Sequence, residues 1–527
     1  MEAKAAPRRP RLTHFARSSI IIAVFFGIDK VFAFVRQLIV NNQFGLAYEL
    51  DVFNAANNIP DLLSALISGG ALGVALIPVL SEYLEKRGRK DAWELFTRIL
   101  NLAFIVTGVI AVVVAIFAPW LIDNVITPGF PAEQRALAAE LMRLDLIAIL
   151  IFSLSGLAMA GLQANQHFIL PALAPILYNV GQIFGAAVLA PSDYAPFGIQ
   201  LPNLGLGLHG LVYGVILGAL LHLLIQVPGL LRYGYRWRPI LGLRAPGVSK
   251  VLRLLGPRVL TMLFIHIYFI ARDNLGSQLG EGAVTAINLG WFIMQVPETL
   301  LGTAVAIALL PSIAEIFARG DTSEFRDTLN GTLKASLALT IPAAALLAVG
   351  LRPLVAAAFS AFSPAEVDLV VLVTRVYLLG LSGHALLEIA VRSYYAQQNA
   401  VTPLWAAALN AAGFIGFAIL FTDHWGAAGV AGAATLSFTL EALLLLWLLR
   451  RDYAGLLAVR GTLMRVLGVT AAVCLGLWAL MQYAPFPVLY LALGGMVLGM
   501  LIMIPFILPE LKLFAALGRK MAEISEQ

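Results

Sequence analysis

The sequence predicts an all-α polytopic membrane protein, and two properties of its composition support that prediction. Of its 527 residues, 60% are hydrophobic and only 12% are charged, whereas soluble domains carry about 25% charged residues. Uncharged apolar runs of about twenty residues recur from end to end, and each is long enough to cross ~30 Å of hydrocarbon. The apolar runs are therefore predicted to be membrane-spanning helices.

Polar residues and Gly or Pro breaks divide these runs into fourteen predicted transmembrane helices. The first six are predicted over 18–41, 50–83, 93–122, 137–162, 168–189 and 208–231. The next six are predicted over 251–276, 283–316, 329–351, 367–395, 403–421 and 426–449, and the last pair over 463–481 and 488–508. The corresponding domains are a six-helix amino-terminal lobe (1–235), a six-helix carboxy-terminal lobe (236–455), and two additional transmembrane helices with a cytoplasmic tail (456–527).

An internal repeat relates the two six-helix sets. The sequence VALIPVLSE at 74–82 resembles IALLPSIAE at 307–315, and ANQHFILP at 164–171 matches AQQNAVTP at 396–403, at spacings of 233 and 232 residues. Each set has an even number of spans, so both copies enter from the same side and the repeats are parallel. Two such bundles predict a transporter with a central cavity.

The distribution of basic residues predicts the orientation of the chain. The segments 86–90, 232–244 and 450–460 each carry three or four Lys or Arg residues, whereas the segment 190–207 carries none. Because Lys and Arg concentrate in cytoplasmic loops, both termini are predicted to be cytoplasmic. This bias also accounts for the net charge of +5 without nucleic-acid binding.

Several kinds of chemistry find no support in the sequence. The single cysteine, Cys474, excludes intrachain disulfides and cysteine metal sites, and the seven histidines lack metal-ligand spacing. No HExxH, GxSxG or Walker motif occurs. Glycines at 69–73 and at 210, 214 and 218 favour close helix packing over phosphate binding. We therefore expect no metal, no resident cofactor and no enzyme.

Charged residues at membrane depth indicate functional positions, because each costs about 2.5 to 3.5 kcal/mol at a helix centre on insertion scales. Asp29 and Lys30 lie about 17 Å along the first span, which is beyond the reach of a snorkelling lysine. Arg36 lies on nearly the same helix face as Asp29, but it is close enough to the outer end to snorkel. Arg272 is a further candidate near the outer end of span seven.

Two equivalent spans each place an acid directly after a proline, as Pro60-Asp61 and Pro297-Glu298. Proline interrupts a helix, so the acid is predicted to begin the following half-helix, where the helix dipole favours negative charge. Two interpretations stay open. The pair is either a structural kink with a hydrated carboxylate or a gating or ion-coupling position.

Several short motifs occur along both lobes of the chain. Those in the first lobe are FVR at 34–36, FG at 44–45, DVF at 51–53, PDLL at 60–63, GA at 70–71 and the segment 78–83. Those in the second lobe are GP at 256–257, Pro297, Gly302 and LLPS at 309–312. In these motifs the chain resembles a known family, the MurJ (MviN) lipid II flippases of the multidrug/oligosaccharidyl-lipid/polysaccharide exporter superfamily. The resemblance covers nearly the whole chain.

The resemblance implies fourteen helices, of which the last two form a groove for a lipid tail. It implies outward transport of an undecaprenyl-pyrophosphate-linked peptidoglycan precursor across the bacterial inner membrane by alternating access. Coupling to membrane potential, Na⁺ or H⁺ stays open. The implied partners are the lipid-linked glycan and membrane lipids, and cell-wall synthesis proteins form an open partner class.

The family's functional residues transfer only in part. Lys30 and Arg36 stand where the family places basic cavity residues, and Asp51 matches its helix 2 aspartate. Asp29 and Arg272 complete the predicted substrate-binding set, and Asp51 is assigned to gating or coupling with the two proline–acid pairs.

Three positions depart from the family pattern, which has charged residues where this chain has Ser64, Gly69 and Phe292. Fewer cations therefore remain to meet a pyrophosphate. Lipid II is the leading substrate. The alternatives are a cation-coupled exporter of amphipathic drugs that uses Asp61 and Glu298, and a transport-inactive scaffold for envelope synthesis.

Overall fold

The computed structural model describes residues 14–67, 71–191, 195, 198–242 and 245–524, and these residues form helices with no strand. Gly69 lies outside the described residues. In chain order the α-helices are α1 His14–Phe44, α2 Tyr48–Ile67, α3 Ala71–Lys86, α4 Arg89–Leu121, α5 Ala132–Ala164, α6 Ile169–Phe184, α7 Gly207–Leu224, α8 Val227–Arg232, α9 Pro246–Gly276, α10 Ala283–Glu298, α11 Ala304–Ala318, α12 Thr322–Ala358, α13 Pro364–Leu379, α14 Leu381–Ala396, α15 Val401–Asp452, α16 Arg460–Tyr483 and α17 Val488–Ile524.

Many of these helices are long and apolar enough to cross a membrane. Among the described residues ten such helices occur, or up to eleven if α13 and α14, bent by 42°, form one span. The all-helical membrane fold is confirmed, and the count of fourteen stays a prediction. In α15, which covers two predicted spans, Gly426 has non-helical φ 55° and ψ −134° and interrupts the helix.

The backbone repeats itself at the second repeated motif. Gln166 and Gln398, 232 residues apart, have φ of 59° and 58°, a left-handed conformation uncommon for residues other than glycine. Each lies in a turn with the same hydrogen bonds: His167 N donates to Leu162 O, and Asn399 N donates to Tyr394 O. The sequence match at 164–171 and 396–403 therefore corresponds to the same turn conformation in both repeats.

The chain divides into two compact units. The first unit comprises Met1–Gln43, Ala56–Trp120 and Ala136–Met262. In it α6 and α7 approach through glycines, and a Cβ on Gly214 would lie 2.6 Å from the Cα of Gly185. That distance leaves no room for a side chain, so these glycines serve helix packing.

The second unit comprises Phe44–Ala55, Leu121–Arg135 and Leu263–Gln527. In it α12 packs against α16 and α17 through an apolar cluster that includes Ala338, Val466 and Ile507. The Asp321 side chain caps α12 by accepting from Glu324 N at 2.8 Å. The predicted division at 235 and 455 stays a prediction.

The helix break expected at Pro60 is wrong. Helix α2 runs without interruption through Pro60 to Ile67. A proline removes one hydrogen bond, and Val52, Ala55 and Ile59, all buried, hold this part of α2 by packing.

Pro297 differs, since it lies in the last turn of α10 and the π-helical turn Thr299–Thr303 follows directly. The backbone therefore changes after Pro297-Glu298, whereas at Pro60-Asp61 it does not.

Candidate functional site

Helix α1 places two of the predicted residues against α6. Asp29 Oδ1 accepts a hydrogen bond from Asn179 Nδ2 at 2.8 Å, and Arg36 Nη1 donates to Gln182 Oε1 at 3.0 Å. Asp29 and Arg36 are seven residues apart and share one face of α1, while Asn179 and Gln182 are three residues apart on α6. Two polar bridges therefore join these helices in the first unit.

A cleft of about 120 Å³ opens beside Asp29. The other residues that line it are Phe25, Met159, Gln163, Phe168, Pro171, Ala172 and Pro175. Its walls are apolar apart from Asp29 and Gln163, so it offers a carboxylate at the edge of a hydrophobic surface. Lys30 is exposed, in contrast to the half-buried Asp29.

Arg36 belongs to a larger group of charges. The carboxyl groups of Asp29 and Asp61 and the phenol group of Tyr178 all act electrostatically on its guanidinium. The charge of Asp61 also acts on Asp145, a residue of α5 that is 4% exposed. We call Asp29, Arg36, Asp61, Asp145 and Tyr178 the amino-terminal cluster. It holds three carboxylates and one guanidinium.

Sequence reasoning missed Asp145, Asn179 and Gln182. The signal that singled out Asp29, an acid inside an apolar run, applies equally to Asp145 in the run 137–162. No comparable signal exists for Asn179 and Gln182, because neutral amides cost less in a membrane and occur for many reasons. Their importance follows only from the side chains that they meet on α1.

The structure places Arg272 in a different setting. In the second unit, Arg272 Nε donates to Asp273 Oδ1 at 2.9 Å, and its Nη2 donates to Asn288 Oδ1 at 2.5 Å. Arg272 and Asp273 are 3% and 2% exposed. The charge of Arg272 is thus matched by a buried neighbour.

Glu298 lies beside a second group of charges. Thr303 Oγ1 donates to Glu298 Oε1 at 3.0 Å, across the π-helical turn. Glu388 and Arg392, which form an ion pair on α14, act on Glu298 electrostatically. Glu298 therefore adds one carboxylate to a pair that is otherwise balanced.

Asp51 caps the start of α10. Its Oδ2 accepts from Gly282 N at 2.7 Å, and its Oδ1 accepts from Thr285 N and Thr285 Oγ1, each at 2.7 Å. Gly282 has φ 78°, which exposes its N–H to the carboxylate. Asp51 is 1% exposed, and its position at a helix N-terminus suits a negative charge.

Metal-binding geometry is absent from the described part of the chain, where no group of three or more His, Cys, Asp or Glu side chains could hold an ion. The amino-terminal cluster offers one guanidinium, the kind of group that binds anions, and three carboxylates, the kind of group that binds protons or cations.

A family model described as Lipid II flippase MurJ matches residues 40–506. The chain belongs to this family. The Lipid II flippase MurJ of Burkholderia cenocepacia is 30% identical over 396 residues, which is 74% of each chain. The Probable lipid II flippase MurJ of Vibrio cholerae is 28% identical over 440 residues, covering 81% of this chain and 82% of the relative.

Solved structures show the same fold. A structure described as lipid II flippase MurJ in an inward closed conformation aligns with a TM-score of 0.78 at 21% identity, covering 92% of this chain and 98% of the other. An inward-facing multidrug resistance MATE family transporter of the MOP superfamily aligns with a TM-score of 0.69 at 16% identity, covering 83% and 98%. This MurJ family member therefore shares its fold with both of these proteins.

Proposed function

We propose that this chain moves lipid II, a polyprenyl-pyrophosphate-linked glycan used in peptidoglycan synthesis, outward across the bacterial inner membrane by alternating access. The match of residues 40–506 to the lipid II flippase family carries this proposal. Both termini face the cytoplasm in this scheme, in keeping with the basic residues at 86–90, 232–244 and 450–460.

Arg36 is the residue that we assign to the pyrophosphate. A guanidinium carries five N–H donors, and the bond to Gln182 takes one of them. Gln182 is neutral, so that bond positions the guanidinium without matching its charge. Arginine is also the side chain best suited to bind phosphate oxygens in pairs.

The membrane potential can drive the loaded step. A pyrophosphate carries about two negative charges, and moving them away from a negative interior gains roughly 2.3 kcal/mol per charge per 100 mV. About 4 to 5 kcal/mol is thus available at 100 mV. In this scheme Arg36 pairs with part of this charge while the head group crosses the membrane.

Export of a cationic amphipathic drug is the second candidate. One observation favours it, because the amino-terminal cluster has three carboxylates against one guanidinium, and a cationic substrate would balance that charge. Asp29 at the edge of the apolar cleft would suit such a molecule as well.

Flipping of lipid II by purified protein in liposomes tests the proposal. The Arg36→Gln variant should flip lipid II at least about tenfold more slowly than the parent, the equivalent of ~1.4 kcal/mol of lost pairing with phosphate. The matched control is Arg143→Gln. Arg143 is an exposed arginine of α5 that donates to Ala115 O at 2.8 Å, and its loss should leave the rate unchanged.

Transport of a cationic amphipathic dye in the same liposomes separates the candidates. A parent protein that moves the dye but not lipid II would overturn the flippase proposal in favour of the drug exporter. A parent that moves neither, yet supports growth when a cell's own flippase is depleted, would indicate a scaffold.

A further inference from the structure

Asp145 is a buried acid in the middle of a membrane helix. It lies thirteen residues from the start of α5, about 20 Å along the helix, and it is 4% exposed. Its Oδ1 has no hydrogen-bond partner among the described residues. An ionised carboxylate with a buried, unpartnered oxygen is costly in a low-dielectric interior, and binding a proton lowers that cost.

Other charged and titratable groups surround Asp145. The charge of Asp61 acts on Asp145, and Asp61, Asp145 and Arg36 all act on Tyr178. With Asp29, which also acts on Arg36, three carboxylates meet one guanidinium. Two acids that interact closely titrate as a pair, and one proton shared between them relieves their repulsion.

Unpartnered polar atoms also occur beside this pair. Asn179, which is 5% exposed, has an Oδ1 without a partner among the described residues, and so has the Nε2 of Gln182. Both residues belong to α6 and hold the α1 side chains of the cluster. The site is therefore polar and incompletely satisfied.

Three other titratable or charged groups on α5 or bonded to it, among the described residues, have partners outside the amino-terminal cluster. His222 of α7 bonds to Ser155 Oγ at 2.5 Å, and His209 bonds to Glu140 at 3.1 Å. Arg143 donates to Ala115 O. Within the described part of the chain, Arg36 is a cation whose charge interacts with two of these acids, Asp29 and Asp61.

We propose that Asp145 and Asp61 together hold one proton that this transporter takes up from outside after lipid II leaves and releases into the cytoplasm. Asp61 is exposed and Asp145 is buried, so Asp61 provides the route of entry. An O–H bond forms on a carboxylate oxygen from a hydronium ion and later breaks to water. The order of events, with proton uptake after lipid II leaves, rests on the proposed function. Proton binding by the two acids does not depend on it.

The charge balance explains what the proton does. Without substrate the amino-terminal cluster carries two more negative charges than positive ones when all its acids are ionised. Returning this excess toward a negative interior is opposed by up to about 2.3 kcal/mol per charge per 100 mV. One bound proton halves the excess, and the inward proton gradient then helps the empty carrier return.

Infrared spectroscopy of the purified protein without lipid II tests proton binding directly. The carbonyl band of a protonated carboxyl group should be present in the parent at neutral pH and absent in Asp145→Asn. Asp61→Asn should shift the pH at which the band disappears. Asp327→Asn, which removes an exposed acid paired with Arg326, is the control and should leave the band unchanged.

A transport assay tests the timing. With the membrane potential clamped, lowering the outside pH by one unit should accelerate lipid II flipping by the parent, up to about tenfold for one proton. Flipping by Asp145→Asn should not respond. Asp145→Glu keeps a carboxyl group and should retain the response with a shifted midpoint, which guards against a variant that fails to fold.

The outcomes separate the two proposals. A band that survives in Asp145→Asn overturns the proton site, as does flipping that follows a Na⁺ gradient and ignores pH. If the parent does not flip lipid II, the proposed function fails, and the infrared experiment still decides whether Asp145 holds a proton.

Discussion

The amino-terminal cluster and the Arg272–Asp273 pair use the same kinds of side chain in opposite ways. Arg272 is buried, bonded to an acid and an amide, and balanced one to one. Arg36 is half-buried, bonded to a neutral amide, and surrounded by an excess of carboxylates. The difference indicates that Arg272 stabilises the fold, whereas Arg36 and the acids near it can bind a ligand or a proton.

The largest expected effect comes from breaking the balanced pair. Arg272→Met should lower the free energy of unfolding by about 3 to 5 kcal/mol, because it leaves Asp273 charged and buried. Arg36→Met should cost less, about 1.5 kcal/mol, because its hydrogen bond is to a neutral group and the acids near it can bind a proton instead of staying charged. Equilibrium unfolding in detergent micelles measures both.

The control for this comparison is Arg326→Met. Arg326 pairs with Asp327 at the surface, and losing such a pair costs ~0 to 1 kcal/mol. Equal losses of stability at Arg272 and Arg36 would contradict the division of roles between the two sites.

A smaller effect is expected at Asp51. Its carboxylate accepts three hydrogen bonds at the start of α10, so Asp51→Asn should lower the free energy of unfolding by about 1 to 3 kcal/mol. Asp61→Asn should lower it less, because Asp61 is exposed and is one of three acids that share a single guanidinium. If Asp61→Asn destabilises the fold as much as Asp51→Asn, the acids of the amino-terminal cluster are structural rather than poised.

The smallest effect compares the two repeats at their shared turn. Gln166 and Gln398 are both exposed and both left-handed, and glycine adopts that conformation without steric cost. Gln166→Gly and Gln398→Gly should each raise the free energy of unfolding by up to about 1 kcal/mol. Opposite signs at the two positions, measured by the same unfolding experiment, would show that the turns are not energetically equivalent.

Much of the fold follows from the sequence because its causes are local. Twenty apolar residues in a row favour a helix that crosses a membrane, wherever that helix packs. The predicted spans accordingly overlap α1 to α17, and the repeated motif at 164–171 marks a turn that recurs at 396–403. Family membership likewise resides in residues that the sequence displays directly.

The predicted helix break at Pro60 is wrong because packing competes with the local conformational preference of proline. The missing hydrogen bond is a local cost, but buried neighbours in α2 outweigh it and the helix continues. At Pro297 the same residue type precedes a π-helical turn. The sequence places the two prolines in equivalent motifs, and only the surrounding packing separates their outcomes.

Which charges meet was decided by the tertiary structure. Helical periodicity shows that Asp29 and Arg36 share a face of α1, but it cannot show which helix opposes that face. The fold placed Asn179 and Gln182 there, put Asp145 within the electrostatic influence of Asp61, and paired Arg272 with Asp273 and Asn288. A single charge in a membrane helix is costly wherever it lies, so the sequence reveals that a partner must exist. The identity of that partner depends on contacts between residues far apart in the chain.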